Sequence, residues 1–254
     1  MKTIGLLCGL SWVSTQIYYE TVNRYISHSL KGVNSAHMIM NSLNAAKVVS
    51  LLKNDHRDQL ESLLINECRK LESVGCDFIA ITCNSVHAFY DSIQEALNVP
   101  VIHIIDSVAN LLINQRIKKV GVIGTQFTVK NCLYDKYLQP FGIDSIYPSN
   151  HEIKRVDDII FSICSGEMPS NKEKQIIQEI CDRLINSGAK AIVLGCTELG
   201  MCIDSRTDVP LFDSAVIHAK ALASYSINKE QENPKFINSK IGFHREPEME
   251  LIYV

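Results

Sequence analysis

Two apolar runs of this 254-residue chain end alike, and their recurrence restricts the fold more than any other feature of the sequence. Phe78-Ile79-Ala80-Ile81 runs into Thr82-Cys83-Asn84-Ser85, and Ala191-Ile192-Val193-Leu194 runs into Gly195-Cys196-Thr197-Glu198. Gly75 stands eight residues before Cys83, and Gly188 eight before Cys196. The surroundings keep the same order. Gly5 precedes Cys83 by 78 residues and Gly121 precedes Cys196 by 75, while Pro100 follows Cys83 by 17 and Pro210 follows Cys196 by 14. Asp106-Ser107 and Asp213-Ser214 close the two segments. A chain that repeats strand, glycine, cysteine, proline and Asp-Ser in one order is expected to build one structural unit twice.

The unit is an alternation of strands and helices. Lys2–Leu7 reads as a strand, followed by a helix capped at Ser14 or Thr15 that carries Tyr18, Tyr19, Val22 and Tyr25 at helical spacing. A second apolar run, 37–43, precedes a helix capped by Asn44, and a longer helix over 57–73 is closed by Gly75. After the run to Cys83 comes a helix starting near Asn84 or Ser85. Residues 100–107 read as one more strand, and Val120–Ile123 opens the second unit. Helices are expected near 128–139, 153–164, 171–186 and 214–226. The fold class is therefore α/β: two similar parallel-sheet domains related by a pseudo-twofold, with the site in the cleft between them. The expected division is 1–106, 107–213, a helix 214–226 returning to the first domain, and a polar linker and tail at 227–254.

Composition excludes several classes of function. A net charge of −3 and a pI near 6.2 leave no basic footprint for nucleic acid. No apolar run is long enough for a membrane span, and the N-terminal one is too short for a secretory signal, so a cytoplasmic protein is expected. The nine cysteines are odd in number and include no C-x-x-C pair and no zinc-type spacing. Reduced thiols and no metal are the expectation.

Ligands of parallel α/β domains meet the carboxyl ends of the strands, where helix starts present N–H groups. A cysteine there gains thiolate character from the helix dipole. Pseudo-twofold symmetry places Cys83 and Cys196 on opposite sides of one cleft. A substrate carbon between them loses a proton to one thiolate and gains one from the other thiol, which inverts a stereocentre. The residues alone leave other readings open: a redox disulfide, a metal site, or two core thiols.

Three segments resemble the pyridoxal-phosphate-independent aspartate/glutamate racemase family: Gly5-Leu6-Leu7-Cys8-Gly9-Leu10-Ser11-Trp12-Val13-Ser14-Thr15, Thr82-Cys83-Asn84-Ser85-Val86-His87 and Gly195-Cys196-Thr197-Glu198-Leu199-Gly200. The resemblance runs from residue 1 to about 226, and Cys-Thr-Glu is similar to the aspartate racemase branch. It implies a cofactor-independent racemase of a small acidic amino acid, aspartate and possibly glutamate, with Cys83 and Cys196 as acid and base. It places Asn84, Ser85, Thr125 and Thr197 at the substrate, with Leu10 and Ser11 in the first cleft loop. Glu198 is set to meet the ammonium or orient a cysteine. Among candidate cations for a side-chain carboxylate (Lys47, Lys53, Arg57 and Arg155), Arg155 matches a family position. Relatives are often homodimers. Three residues depart from the pattern: Cys8 for glycine, Leu10 for methionine and Val13 for glutamate. Rival expectations are a binding protein that has lost turnover, or a related carbon-acid enzyme such as a maleate isomerase.

Overall fold

A computed structural model of the chain describes residues 1–203 and 210–228. The expected tail beyond 228 lies outside the described residues. The first half runs β1 (Ile4–Cys8), α1 (Trp12–Leu30), β2 (Met38–Ser42), α2 (Ala45–Lys53), α3 (Arg57–Ser73), β3 (Phe78–Ile81), α4 (Tyr90–Glu95), β4 (Val101–Ile102) and α5 (Ile104–Asn114). The second runs β5 (Lys119–Ile123), α6 (Gln126–Lys130), α7 (Leu133–Leu138), β6 (Asp144–Ile146), α8 (Asn150–Cys164), α9 (Asn171–Asn186), β7 (Ile192–Leu194), β8 (Leu211–Asp213) and α10 (Ser214–Ile227). All strand pairs are parallel, in two four-stranded sheets ordered β2-β1-β3-β4 and β6-β5-β7-β8.

The register shows the duplication directly. Ile79 pairs with Gly5 and Ile192 with Gly121, and each cysteine of the pair lies four residues further on. On the outer side, Ile102 pairs with Ala80 and Phe212 with Val193, which makes His103 and Asp213 equivalent. The Asp106-Ser107 match with Asp213-Ser214 is therefore out of register by three residues.

Side-chain alternation along each strand buries both faces of each sheet. In the first, Ile4, Leu6, Phe78 and Ala80 pack against α1 and α10, and Leu7, Ile79 and Ile81 against α3. In the second, Val120, Val122 and Val193 pack against α5 and α7, and Ile123, Ile192 and Leu194 against α8 and α9. The helices after the outer strands change partners. Ile104, Val108 and Leu112 of α5 cover the second sheet, whereas Ala215, Ala219 and Leu222 of α10 cover the first. Residue 106 thus lies inside a helix that already belongs, by packing, to the second sheet.

Four local expectations need correction. The helix expected to be capped at Ser14 or Thr15 begins at Trp12 under Ser11, whose Oγ accepts from Ser14 N at 3.4 Å, while Thr15 Oγ1 accepts instead from Gly9 N at 3.0 Å. The apolar run 100–107 is not one strand. His103 Nδ1 accepts the Ile105 N–H at 3.1 Å, capping α5 after only two strand residues. A short apolar run does not distinguish a buried strand from a buried helix start. The helix expected over 128–139 is broken at Cys132, whose φ of 48° is left-handed. After Cys83 the chain makes a 3-10 turn, Ser85–Phe89, before α4. The three-residue edge strand β6 has no counterpart among the expected elements.

Candidate active site

The site is assembled where β1, β3, β5 and β7 end. Gly9, immediately after β1, has φ +76°, and a side chain there would collide with Leu43 O. The glycine lets the loop fold back so that Leu10 and Ser11 are buried, 8% and 4% exposed. Val13 packs into the second-lobe core with Ile160 and Cys196. Val13, which departs from the glutamate that the family resemblance leads one to expect, is here an apolar contact between lobes. Trp12 lies close enough to Gly166 to crowd any side chain there, yet is 54% exposed.

Asn84 joins the two halves. Its Nδ2 donates to Ser214 Oγ at 2.9 Å and its Oδ1 accepts from Tyr134 OH at 2.8 Å, all buried. Ser214 in turn donates to Leu194 O at 2.7 Å. Ser85 meets two hydroxyls of the other half, Thr125 at 3.0 Å and Thr128 at 3.1 Å, and those two are 3.1 Å apart. The pairs Asn84/Ser214 and Ser85/Thr125 are side-chain links between the two halves. Tyr134, Thr128 and Ser214 were not singled out from the sequence. Ser214 is the second half of an Asp-Ser pair noted for its recurrence, while Tyr134 and Thr128 carry no signal beyond proximity to Thr125.

On the Cys196 side a carboxylate is buried with the thiol. Glu198, 2% exposed, accepts from Cys196 Sγ at 3.0 Å and Thr197 Oγ1 at 2.8 Å, both at Oε2. Its Oε1 is buried without a partner. Leaving a carboxylate oxygen desolvated and unpaired is costly, so an incoming cation or donor gains from reaching it. A third thiol, Cys164 at the end of α8, packs against this cluster beside Ser11 and Glu198. Scattered among nine cysteines, it gave no sign of lying here. Arg155 stands half-buried on α8 and makes no hydrogen bond or ion pair among the described residues.

Burial pushes the Cys83 thiol up to about 11, and the nearby Glu198 charge adds to this. The Ser85 and Val86 N–H groups and the Ser85 hydroxyl work in the opposite sense. Burial and then Glu198 hold the Cys196 thiol well above the ordinary range. The expected thiolate stabilisation by the helix start is present at Cys83, but desolvation outweighs it. Both thiols are thus biased toward the protonated form. Behind Cys83, His87 is fully buried and uncharged, pushed down to about 4 by burial.

The Asp/Glu/Hydantoin racemase model matches residues 7–222. The chain belongs to that family. It is 29% identical over 226 residues to the broad specificity amino-acid racemase RacX of Bacillus subtilis (strain 168), covering 87% of this chain and 96% of that one. Among solved structures it resembles a protein assigned as an Asp/Glu racemase from Yersinia pestis. That likeness has a TM-score of 0.82 and 31% identity, and covers 90% of this chain and all of the other. An aspartate racemase homologue from Pyrococcus horikoshii OT3 superposes with a TM-score of 0.76 at 30% identity, over 90% of this chain and 100% of that one. Two facing α/β lobes are thus the architecture of this family member and of its structural neighbours. Among the described residues no helix is long and apolar enough to cross a membrane.

Proposed function

We propose that the protein racemises an amino acid by two-base proton transfer at Cα, with Cys83 and Cys196 alternating as base and acid. The observation that carries this reading is the Cys196–Glu198 pair, a buried thiol donating to a carboxylate whose second oxygen is bare. The substrate's ammonium group supplies the missing partner at Glu198 Oε1. Its arrival adds a positive charge to a site whose thiols are biased toward the protonated form by burial and by Glu198, and so favours loss of one thiol proton. The α-carboxylate is met by the hydroxyls of Ser85, Thr125 and Thr128 and by loop N–H groups, with Thr197 on the opposite side. One thiolate takes the Cα proton, the other thiol delivers its own to the opposite face, and the charge changes sides. Donors fixed before reaction stabilise the carbanionic intermediate without reorganisation.

Within this reading aspartate is the first substrate to test and glutamate the second, on the Cys-Thr-Glu motif and the aspartate racemase homologue of similar fold. The similarity to a broad specificity racemase keeps neutral amino acids in the panel. The test is Cα–H exchange in deuterated water with D- and L-aspartate, glutamate and alanine, followed by NMR. Exchange with inversion is expected, and Cys83→Ala and Cys196→Ala should each cut racemisation by about a thousandfold or more. Parent-level interconversion by either variant would sink the two-base reading. No exchange with any amino acid would favour a binding protein.

A further inference from the structure

The two thiols are held by different devices. Cys196 is fixed through its own sulfur, by Glu198 Oε2 at 3.0 Å. Cys83 has no carboxylate of its own, and the residue equivalent to Glu198, two beyond the cysteine, is Ser85. Its hold comes through the backbone. His87 Nδ1 lies 2.7 Å from the Cys83 carbonyl oxygen, and the Ile104 N–H donates to His87 Nε2 at 3.3 Å. An amide N–H only donates, so Nε2 accepts, the ring proton sits on Nδ1, and Nδ1–H donates to Cys83 O.

The ring has no freedom to turn away. His103 stands edge-on to it with centroids 4.6 Å apart, and His218 at 6.1 Å. His103 is tied by the Ile105 N–H, and His218 by Tyr18 OH at 2.8 Å and Ile102 O at 3.0 Å. The second lobe leaves this place to another group. Gly200 stands four residues after Cys196, as His87 does after Cys83, and a side chain on Gly200 would collide with Asp213 Oδ2. The helix cap of α10 thus fills the space that the imidazole fills in the first lobe.

We propose that His87 is the positioning residue of the Cys83 half-reaction: its Nδ1–H fixes the Cys83 carbonyl, and with it the turn that aims Sγ and the Ser85 and Val86 N–H groups. This rests on the two-base reading above. Loss of the hydrogen bond frees the Cys83 carbonyl, so the turn that carries Sγ rotates and the sulfur is no longer held in place. Cys83 then becomes a poorer thiolate, while Cys196, held by Glu198, is unaffected.

The test separates the two ring nitrogens. His87→Asn keeps a donor near Nδ1, His87→Gln keeps an acceptor near Nε2, and both keep the site polar; circular dichroism checks that each is folded. Iodoacetamide labelling of Cys83 and Cys196, resolved by peptide mass spectrometry across pH, needs no substrate. His87→Gln should slow Cys83 labelling about fivefold and move its pH profile upward, with His87→Asn near the parent and Cys196 unchanged in both. With Cα-deuterated D- and L-aspartate, the isotope effect on kcat/KM should rise in His87→Gln for the enantiomer deprotonated by Cys83 and fall for the other. Equal behaviour of the Asn and Gln variants in the labelling, or equal change at both cysteines, overturns the proposal. Retained racemisation in Cys83→Ser would instead overturn the two-base reading, whatever the labelling shows.

Discussion

Replacing Glu198 by glutamine separates catalysis from stability more cleanly than any other single change. The side chain keeps its volume and one oxygen for Cys196 Sγ and Thr197 Oγ1, at 3.0 and 2.8 Å in the parent. Its charge disappears. Hydrogen bonds to a charged acceptor contribute about 1.5–3 kcal/mol and neutral ones about 0.5–1.5, so the site loses about 1–2 kcal/mol of directed stabilisation. If that difference is expressed in the transition state, kcat falls roughly five- to thirtyfold, with a further rise in KM from the lost ammonium partner. Stability should move the other way or not at all, because a buried, half-unpaired carboxylate is replaced by a neutral group. Both thiols are raised in part by the Glu198 charge. Thiolate absorbance should therefore appear at lower pH in Glu198→Gln. The expected variant is slower despite having more thiolate, and melts within about 2 °C of the parent or above it. Stereoinversion followed by polarimetry, a thermal melt and an ultraviolet thiol titration measure the three quantities. Unchanged kcat, or a thiol titration that does not move, would refute the role given to Glu198.

Two further outcomes follow from the same geometry. Tyr134→Phe removes the buried donor to Asn84 and leaves Oδ1 without that partner. It should cost about 1–3 kcal/mol, seen as a loss of several degrees in Tm, with a rise in KM larger than the fall in kcat if the links between the halves shape the cleft. Acid should destabilise the fold early. His87 and His218 are pushed down to about 4 and about 3 by burial, against 6.5 in the unfolded chain. The unfolded chain then binds more protons, so their contribution is complete above pH 6.5 and is withdrawn as pH falls from there toward 4 and then 3. Urea midpoints should decline steadily from pH 7 to pH 4. A flat profile over that range would contradict the neutral histidine cluster.

The duplication was legible because a parallel strand buried on both faces leaves an uninterrupted apolar run, and a strand-end cysteine interrupts it at a fixed place. Cys83 and Cys196 therefore stood out, and register puts them at equivalent positions. Legibility ended where tertiary partners decide the local structure. Residues 100–107 are as apolar in a strand as in a helix, and only the His103 cap resolves them. Cys164 is indistinguishable in sequence from core thiols such as Cys68 and Cys181, because what marks it is proximity to Glu198, 34 residues away. Asn84 was expected at the substrate. Its amide also bonds Ser214 and Tyr134 across the two halves, a structural role that no spacing rule anticipates.

The exchange of α5 and α10 between the sheets has a consequence for how the molecule is made and how it moves. Each half gives away the helix that its own outer strand leads into and borrows one from the other. A ribosome that has finished the first sheet has made α1 and α3 but not the rest of its cover, because α10 follows the second sheet. Neither half is a free-standing unit that a linker merely tethers, and cutting the chain near residue 115 should leave two fragments that fold only together. The same reciprocity restrains breathing of the cleft. Opening wide would tear a helix from a foreign core, so the two halves are restricted to loop movements and small shears.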